Sequence, residues 1–199
     1  MSSATADRPK AAQRIQSAAK DLFHRQGIRA TGIEEVCRVA EATKMSLYRS
    51  YPSKDALVAA ILEEDAAAYE AWFAEATARA ETPAEKLQAV ILAVADKLER
   101  PEYCGCPLLL AQAEFRDPDH PTHQFVAIHK TRMRQQLAGL AKDAGAEDPT
   151  LLGDTLAMLV DGAWSSLPYM GSAQAASVLR RSAVMLLGQT LGTVAATPP

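Results

Sequence analysis

Residues 43–57 read TKMSLYRSYPSKDAL, and this stretch holds one short helix and the start of a longer one. Leu47 and Tyr51 are one turn apart, so they lie on one face of the short helix and can pack against neighbouring elements. Pro52 ends that helix, and Ser53 supplies an N-cap for the next. The opposite face consists of Lys44, Met45, Tyr48 and Arg49. The stretch therefore predicts a short helix with an apolar inner face and a cationic outer face.

The residues that precede this stretch predict a helix-turn-helix. Apolar residues recur at helical spacing at Ile33, Val36, Cys37 and Ala40, and residues 41–43 form a short turn before the next helix. A first helix is predicted over residues 9–26, with Gly27 as its stop. Its apolar stripe comprises Ile15, Ala18, Ala19, Leu22 and Phe23. Together these elements predict a three-helix lobe.

The outer face of the second short helix suits contact with DNA, because cations reach phosphates and polar or apolar tips reach base edges and thymine methyl groups. Hydroxyls at helix starts and a lysine at the start of the long helix are candidates for phosphate contact. The alternative is that the tyrosines pack, as we expect for Tyr51, and that the cations are plain surface charges. The candidate DNA-binding residues are Thr31, Thr43, Lys44, Met45, Ser46, Tyr48, Arg49, Tyr51 and Lys54.

Composition and charge bound the function. The chain has 199 residues, of which 48% are hydrophobic and 23% charged, which is typical of a globular protein and not of a disordered or collagen-like one. No apolar run is long enough for a transmembrane helix, residues 1–10 lack the apolar core of a secretion signal, and three cysteines are too few for a disulfide framework. We expect a soluble, cytoplasmic protein. Residues 1–55 carry a net charge of +4 and the remainder −7, as expected where one end meets a polyanion.

The rest of the chain predicts helices throughout. A long helix follows Ser53 towards Ala80, and the capping box at Thr82 opens another that runs to about Glu99. Further helices are predicted over residues 107–115, 121–145 and 149–167, with the last of these ending before Pro168. A final helix begins at Ser172, and residues 195–199 are expected to form a frayed tail. No stretch alternates with period two for long enough to form a sheet, so the predicted fold class is all-α with about nine helices.

The segments 31–37 (TGIEEVC) and 40–57 (AEATKMSLYRSYPSKDAL) resemble TetR-type (tetracycline-repressor-like) transcriptional regulators. The resemblance covers residues from about 10 to 60, and the later helices agree in number and length. It implies a homodimeric repressor with a DNA-binding domain at 8–56, in which the motif spans about 32–51, and a ligand-binding and dimerisation domain at 57–195. Two residues depart from the family pattern: Glu41 replaces the usual turn glycine, and Ala42 replaces an aliphatic residue. A positive φ at Glu41 would cost about 1 kcal/mol.

The resemblance also implies a cavity for a small-molecule effector in the C-terminal body. Its candidate lining residues are Trp72, Phe73, Phe115, His129, Met133 and Trp164. Apolar stripes on the last two helices predict a four-helix bundle between two copies, unless they face the chain's own core. The candidate dimer residues are Leu156, Leu159, Val160, Ala163, Leu167, Val178, Met185, Leu186 and Gln189.

Two other hypotheses remain open from the sequence. Cys104 and Cys106, with His120 and His123, are candidates for a metal site or a redox switch, although a one-residue spacing is shorter than metal sites usually have. A small helical enzyme that uses His120, His123, Asp119 or Glu114 is the second rival, but no catalytic signature supports it and it leaves 43–57 unexplained. The sequence implies no cofactor. The preferred function is a DNA-binding regulator released from its operator by an effector.

Overall fold

A computed structural model describes residues 10–192, and these residues form nine helices and no strand. The helices are α1 (Ala11–Gln26), α2 (Ile33–Val39), α3 (Lys44–Ser50), α4 (Lys54–Thr77), α5 (Pro83–Leu98), α6 (Pro107–Glu114), α7 (Pro121–Asp143), α8 (Pro149–Met170) and α9 (Ser172–Leu191). The predicted fold class is confirmed. Two sequence predictions lie outside the described residues. They are the absence of a secretion signal, which concerns residues 1–9, and the frayed tail at 195–199.

Local sequence signals position most helix ends. The Thr82 hydroxyl accepts a hydrogen bond from the Glu85 N–H at 3.2 Å, and the Glu85 carboxylate accepts from the Thr82 N–H at 2.9 Å. Asp148 accepts from the Leu151 N–H at 2.9 Å, and Pro149 occupies the first position of α8. These are the expected capping box and the expected N-cap, each of which satisfies backbone N–H groups that have no partner inside the helix.

One predicted helix end is wrong. α8 continues through Pro168 and ends at Met170, before Gly171 with φ 79°. Pro168 has no N–H, so the Trp164 carbonyl loses its usual helical donor, but the loss falls within the last turn, where such bonds are already few. The helix therefore tolerates the proline so close to its end.

Contacts divide the chain into two compact units. The N-terminal lobe consists of the described residues up to Asp65 together with residues 107–122, so it contains α1, α2, α3, the first half of α4 and all of α6. The helical body consists of residues 66–106 and the described residues from 123 onward. The boundary expected after residue 56 stays a prediction for the function of each part.

The core of the lobe follows the predicted stripes. Ile15, Val36, Leu47 and Leu57 have no exposed surface, and they come from α1, α2, α3 and α4 in turn. Each buried aliphatic side chain of this kind contributes roughly 1.5–3 kcal/mol to folding. Each of these four helices therefore contributes a fully buried side chain to the lobe.

The core of the body is built by α5, α8 and α9, with side chains from α7. Leu87, Ile91, Leu156 and Leu187 are fully buried within it. α7 and α8 approach so closely that a Cβ at Gly153 would lie 2.6 Å from the backbone nitrogen of Ala138. Glycine is therefore required at that crossing. In the part of the chain that the structure describes, no helix is long and apolar enough to span a bilayer.

Candidate nucleic-acid interface

α3 is held by its own N-cap and by α1. The Thr43 hydroxyl accepts a hydrogen bond from the Ser46 N–H at 3.1 Å, which begins the helix at Lys44 as predicted. Leu47 is fully buried, and the Tyr51 hydroxyl donates to the Gln16 Oε1 at 2.7 Å. Tyr51 therefore fixes the end of α3 against α1, and we correct its place among the DNA contacts to a packing role.

The turn between α2 and α3 adopts the strained backbone that its sequence suggested. Glu41 has φ 48°, and it is the one non-glycine residue with a positive φ among residues 10–192. Arg14 on α1 spans this turn, because its Nε donates to the Ala40 carbonyl at 3.1 Å and its Nη2 donates to the Glu41 carbonyl at 3.2 Å. The guanidinium binds two carbonyls that have no helical donor at the end of α2. These hydrogen bonds stabilise the turn although Glu41, as a non-glycine residue, disfavours a positive φ.

The outer face of α3 remains open. Met45 is 81% exposed and Tyr48 is 48% exposed. Arg49 is exposed, and it makes no hydrogen bond or ion pair to any described residue. An aliphatic thioether, a phenol and a guanidinium thus stand side by side on a helix whose other face is fixed by the core. This arrangement can present apolar, hydrogen-bonding and cationic groups to a groove of DNA.

Lys44 is paired across the motif. Its Nζ lies 2.5 Å from the Glu34 Oε1 on α2, and both side chains are more than half exposed. The hydrogen bond to Glu34 raises the pKa of Lys44, and the same bond lowers the pKa of Glu34. An exposed pair of this kind adds little to stability, so a phosphate can replace the carboxylate as the partner of Lys44.

Two expected phosphate contacts are instead part of the lobe's interior. Thr31 is only 1% exposed, and its hydroxyl donates to the Gly27 carbonyl at 2.7 Å. The Lys54 Nζ donates to the Thr31 carbonyl at 2.7 Å and lies 5.8 Å from the centre of the Phe23 ring, and burial lowers the pKa of Lys54. Both residues stabilise the loop between α1 and α2, so we expect packing roles for them in place of phosphate contacts.

A carboxylate that the sequence did not single out for this role closes the same loop. The two oxygens of Glu114, at the end of α6, accept from the N–H groups of Ile28 and Arg29 at 2.7 Å each. Gly27 has φ 92°, and a Cβ there would lie 3.2 Å from the Glu114 Oε1. No local pattern in the sequence predicts a contact between residues so far apart, and from the sequence Glu114 is a candidate only for catalysis.

An ion-pair network was also missed. Asp65 on α4 accepts from Lys20 at 2.8 Å and lies 3.2 Å from the His24 ring, and its side chain is 9% exposed. Burial alone would raise the pKa of Asp65, but the hydrogen bonds from His24 and Lys20 lower it overall. The two basic residues are one turn apart on α1, and that spacing was the available signal.

The expected effector-lining residues fall in both units. Phe115 lies in the lobe, where its ring stacks on His120 at 3.8 Å between centroids. His129 lies against Phe125 in the body, with ring centroids 4.3 Å apart. The other four residues expected to line the effector site contribute to the body core or pack against it, namely Trp72, Phe73, Met133 and Trp164.

The expected dimer residues divide into two groups. Leu156, Val160 and Ala163 are buried in the chain's own core, and Leu159, Leu167 and Leu186 pack partly against that core. Leu156, Val160 and Ala163 therefore pack within the chain's own core, and an interface role for the partly buried Leu159, Leu167 and Leu186 stays a prediction. Val178, Met185 and Gln189 are exposed.

The cysteine and histidine residues form no metal-binding group. Within residues 10–192, no three His, Cys, Asp or Glu side chains lie where they could share a metal ion, so the proposed set of Cys104, Cys106, His120 and His123 is not assembled. Cys104 is exposed and its thiol lies 3.6 Å from the Glu102 carbonyl, whereas Cys106 is buried. His120 also lies 3.7 Å from Asp55, within the lobe.

A fixed turn, a recognition-type helix and an open face of Met45, Tyr48 and Arg49 define a helix-turn-helix protein of the DNA-binding class. Residues 15–61 match the sequence model for bacterial regulatory proteins of the tetR family. Among curated proteins, the HTH-type transcriptional regulator YjdC of Escherichia coli (strain K12) is 24% identical over 147 residues, covering 73% of this chain and 77% of YjdC.

Solved structures extend the likeness over the whole fold. SCO4454, a TetR-family transcriptional regulator from Streptomyces coelicolor, is 26% identical with a TM-score of 0.87, covering 92% of this chain and 96% of SCO4454. The regulator sav143 from Streptomyces avermitilis is 29% identical with a TM-score of 0.80, covering 92% of this chain and 98% of sav143. The chain therefore resembles TetR-family transcriptional regulators, in sequence over residues 15–61 and in fold over about nine-tenths of its length.

Proposed function

We propose that this protein is a homodimeric repressor that binds operator DNA through α3 and is released by a small-molecule effector. The observation that carries the proposal is the contrast within α3, where Leu47 is fully buried while Met45 and Arg49 are exposed. A helix fixed in this way can present its outer face in one orientation, which sequence-specific recognition requires.

Arg49 is proposed to contact a base and Lys44 a phosphate. Arg49 has no partner among the described residues, and its planar guanidinium matches the two acceptors of guanine in the major groove. Met45 supplies an apolar contact suited to a thymine methyl group. Lys44 exchanges Glu34 for a phosphate when DNA binds, so Glu34 limits the affinity for any DNA, whatever its sequence.

A second copy is proposed to cover the exposed apolar face of α8 and α9. Leu151 and Met158 are 64% and 75% exposed, and they lie two turns apart on α8. Val178 and Met185 are 41% and 60% exposed, with the same spacing on α9. Exposed apolar side chains on two neighbouring helices favour self-association, and two copies of α8 and α9 would make a four-helix bundle. A dimer also suits paired half-sites about 34–36 Å apart.

Effector release is proposed to act through helices that the lobe and body share along the chain. α4 begins in the lobe and ends in the body, and α6 belongs to the lobe although the residues on either side of 107–122 belong to the body. An effector that binds one arrangement of these helices more tightly shifts the population towards it and thereby changes the affinity for DNA.

Fluorescence anisotropy with labelled DNA from upstream of the protein's own gene tests this function. At about 50 mM and about 200 mM salt, we expect saturable binding at least ~10³-fold tighter than to a scrambled duplex of equal length. If the affinities for the two duplexes are equal, and no duplex is enriched from a random-sequence pool, sequence-specific regulation by this chain is excluded.

A matched pair of variants tests the dimer. Met158→Arg places a charge on the apolar face of α8, and we expect it to give a monomer by light scattering and to weaken operator binding. Ile128→Arg is the control, because Ile128 is 58% exposed on α7, away from α8 and α9 in sequence. A dimer that survives Met158→Arg would rule out this face as the interface.

A further inference from the structure

The body contains a cluster of aromatic and charged side chains around Lys97 on α5. The Lys97 Nζ lies 3.8 Å from the centre of the Trp72 ring, and Tyr69 stands 5.7 Å from that ring. Lys97 is only partly exposed and has no acidic partner within ion-pair distance among the described residues. A partly buried ammonium that lacks an acid is unusual, because burial of a charge costs free energy unless the charge is paired.

The charges near Lys97 leave its ammonium uncompensated. Burial, followed by the like charge of Arg100, lowers the pKa of Lys97 to about 8, although the charges of Cys106 and Glu75 act in the opposite direction. Glu75 lies outside the 4.0 Å range of an ion pair with Lys97, so it does not hold the ammonium. The site retains a positive group that a bound anion can pair with.

Asp161, whose charge also acts on Tyr69, already has a basic partner among the described residues. The Asp161 carboxylate accepts from the Lys130 Nζ at 2.6 Å, and Lys130 in turn lies 4.6 Å from the centre of the Trp164 ring. The Asp161 charge also contributes to the raised pKa values of Tyr69 and Tyr103, which burial raises most, so these groups belong to one neighbourhood. Asp161 and Lys130 neutralise each other, and Lys97 decides the charge that a ligand meets.

Unused hydrogen-bond donors accompany the ammonium. The Trp164 Nε1 is buried with no hydrogen-bond partner among residues 10–192, which is rare for a buried polar group. The phenols of Tyr69 and Tyr103 stay protonated because burial raises the pKa of each. These groups donate, and an anionic oxygen is the acceptor that they and Lys97 have in common.

A cationic ligand fits this site poorly. The face of Trp72, where an organic cation would bind, is occupied by the Lys97 ammonium, and a second positive charge would be repelled. The aromatic rings of Tyr69, Trp72 and Phe73 instead offer apolar surface beside the ammonium. An acid with an apolar or aromatic body matches both features.

We infer that the effector of this protein is an organic carboxylate with an apolar or aromatic body, whose carboxylate pairs with Lys97 while its body packs against Trp72 and Tyr69. The role of this ligand as an effector rests on the proposed function, whereas its binding to Lys97 does not depend on DNA.

Ligand titrations of the full chain test the inference, with tryptophan fluorescence as the readout of binding. The protein has two tryptophans, Trp72 and Trp164, and both lie in the cluster. The probes are benzoate, 1-naphthoate and decanoate, each matched with its uncharged primary amide. We expect at least one carboxylate to bind about tenfold or more tightly than its amide, since a hydrogen-bonded ion pair is lost in the amide.

Two variants locate the charge. Lys97→Met keeps an apolar chain over Trp72 and should abolish the preference for the carboxylate over the amide. Lys86→Met, on the same helix α5, is the control and should keep it. An equal affinity for acid and amide in the wild type, a preference that survives Lys97→Met, or no binding of any carboxylate at millimolar concentration overturns the inference.

The DNA experiment separates this inference from the proposed function. If a carboxylate binds through Lys97 but leaves the operator complex intact, the ligand site stands and its role in release fails. If the protein selects no DNA at all while the carboxylate preference depends on Lys97, the regulator proposal fails and the ligand site remains.

Discussion

The N-terminal lobe and the helical body treat their polar groups differently. In the lobe, Thr31 and Lys54 donate hydrogen bonds to backbone carbonyls, and Asp65 contacts the side chains of Lys20 and His24. The polar groups of the lobe therefore stabilise its fold. Within the described part of the body, no acid lies within ion-pair distance of Lys97, and the buried Trp164 Nε1 and Gln136 Oε1 have no hydrogen-bond partner. A surface that must fit DNA needs rigidity, whereas a site that receives a ligand keeps its binding groups unpaired.

We expect the largest change in stability when the buried acid of the lobe is removed. Asp65→Asn leaves Lys20 and His24 without their shared partner, and we expect it to lower the free energy of unfolding by about 2–3 kcal/mol. Because the pKa of Asp65 is lowered in the folded state, its contribution is present above the usual carboxyl pKa and is lost as the pH falls through the folded value. Urea unfolding between pH 7 and pH 3 checks this.

Asp21, an exposed acid on α1, gives the control for Asp65→Asn. Asp21→Asn breaks only the exposed pair with Arg25, and we expect a change within about 0.5 kcal/mol. If Asp21→Asn and Asp65→Asn cost the same, the buried network is not what ties α1 to α4.

Substitutions on the open face of α3 should change the affinity for DNA but not the stability of the fold. Arg49→Ala removes a guanidinium that has no partner among the residues the structure describes, so we expect about 1–3 kcal/mol of lost operator affinity with an unchanged melting temperature. Anisotropy and thermal unfolding on the same preparation check both parts. An affinity loss matched by a fall in melting temperature would show that Arg49 supports the lobe.

Lys54 should behave in the opposite way. Lys54→Met removes the hydrogen bond to the Thr31 carbonyl and should cost about 1–2 kcal/mol of stability, while leaving the slope of log affinity against log salt unchanged. Lys44→Met is its counterpart and should reduce that slope by about one. A flatter salt dependence in Lys54→Met would restore a phosphate role to this lysine.

In the body, removing a buried charge should stabilise the protein. The folded pKa of Lys97 is about 8, below its usual value, so the folded state disfavours the charged form. This cost is fully present below pH 8 and disappears as the pH rises towards the unfolded value, so stability rises with pH in that window. After allowance for solvent screening, Lys97→Met should raise the free energy of unfolding by about 1 kcal/mol at pH 7.

The pH dependence identifies the cause. The gain from Lys97→Met should shrink between pH 8 and pH 10, as thermal unfolding at several pH values can measure. A gain of the same size at pH 10 would arise from packing, and a loss at pH 7 would mean that Lys97 has a partner it does not have here.

The smallest effect concerns the turn. Glu41→Gly relieves the positive φ and keeps the carbonyl that Arg14 binds, so we expect a gain of a few tenths to about 1 kcal/mol. Urea unfolding measures the change, and a clear loss of stability would show that the Glu41 side chain outweighs the strain.

The sequence predicted the helix-turn-helix because its signals are local. The caps at Thr43 and Thr82, the stop at Gly27 and the spacing of Leu47 and Tyr51 depend on residues within a few positions of each other. Even the strain at Glu41 was visible as a departure from a glycine.

The rest required contacts between distant segments. No local pattern shows that Glu114 closes the loop at Ile28, or that Lys97 lies over Trp72. For the same reason the sequence suggests a phosphate contact for Lys54, because it does not reveal the carbonyl partner that lies 23 positions earlier. Periodicity gives the apolar face of α8 but not whether that face turns to the chain's own core, as Leu156 does.

The central claim is that α3 reads DNA sequence through Arg49. Selection of bound duplexes from a random-sequence pool, with wild type and Arg49→Ala in parallel, tests it most directly. We predict that the wild type enriches a site with two symmetry-related halves, and that Arg49→Ala loses the preference at one position in each half while the others remain. An unchanged site in Arg49→Ala, or no enrichment by the wild type, would contradict the account.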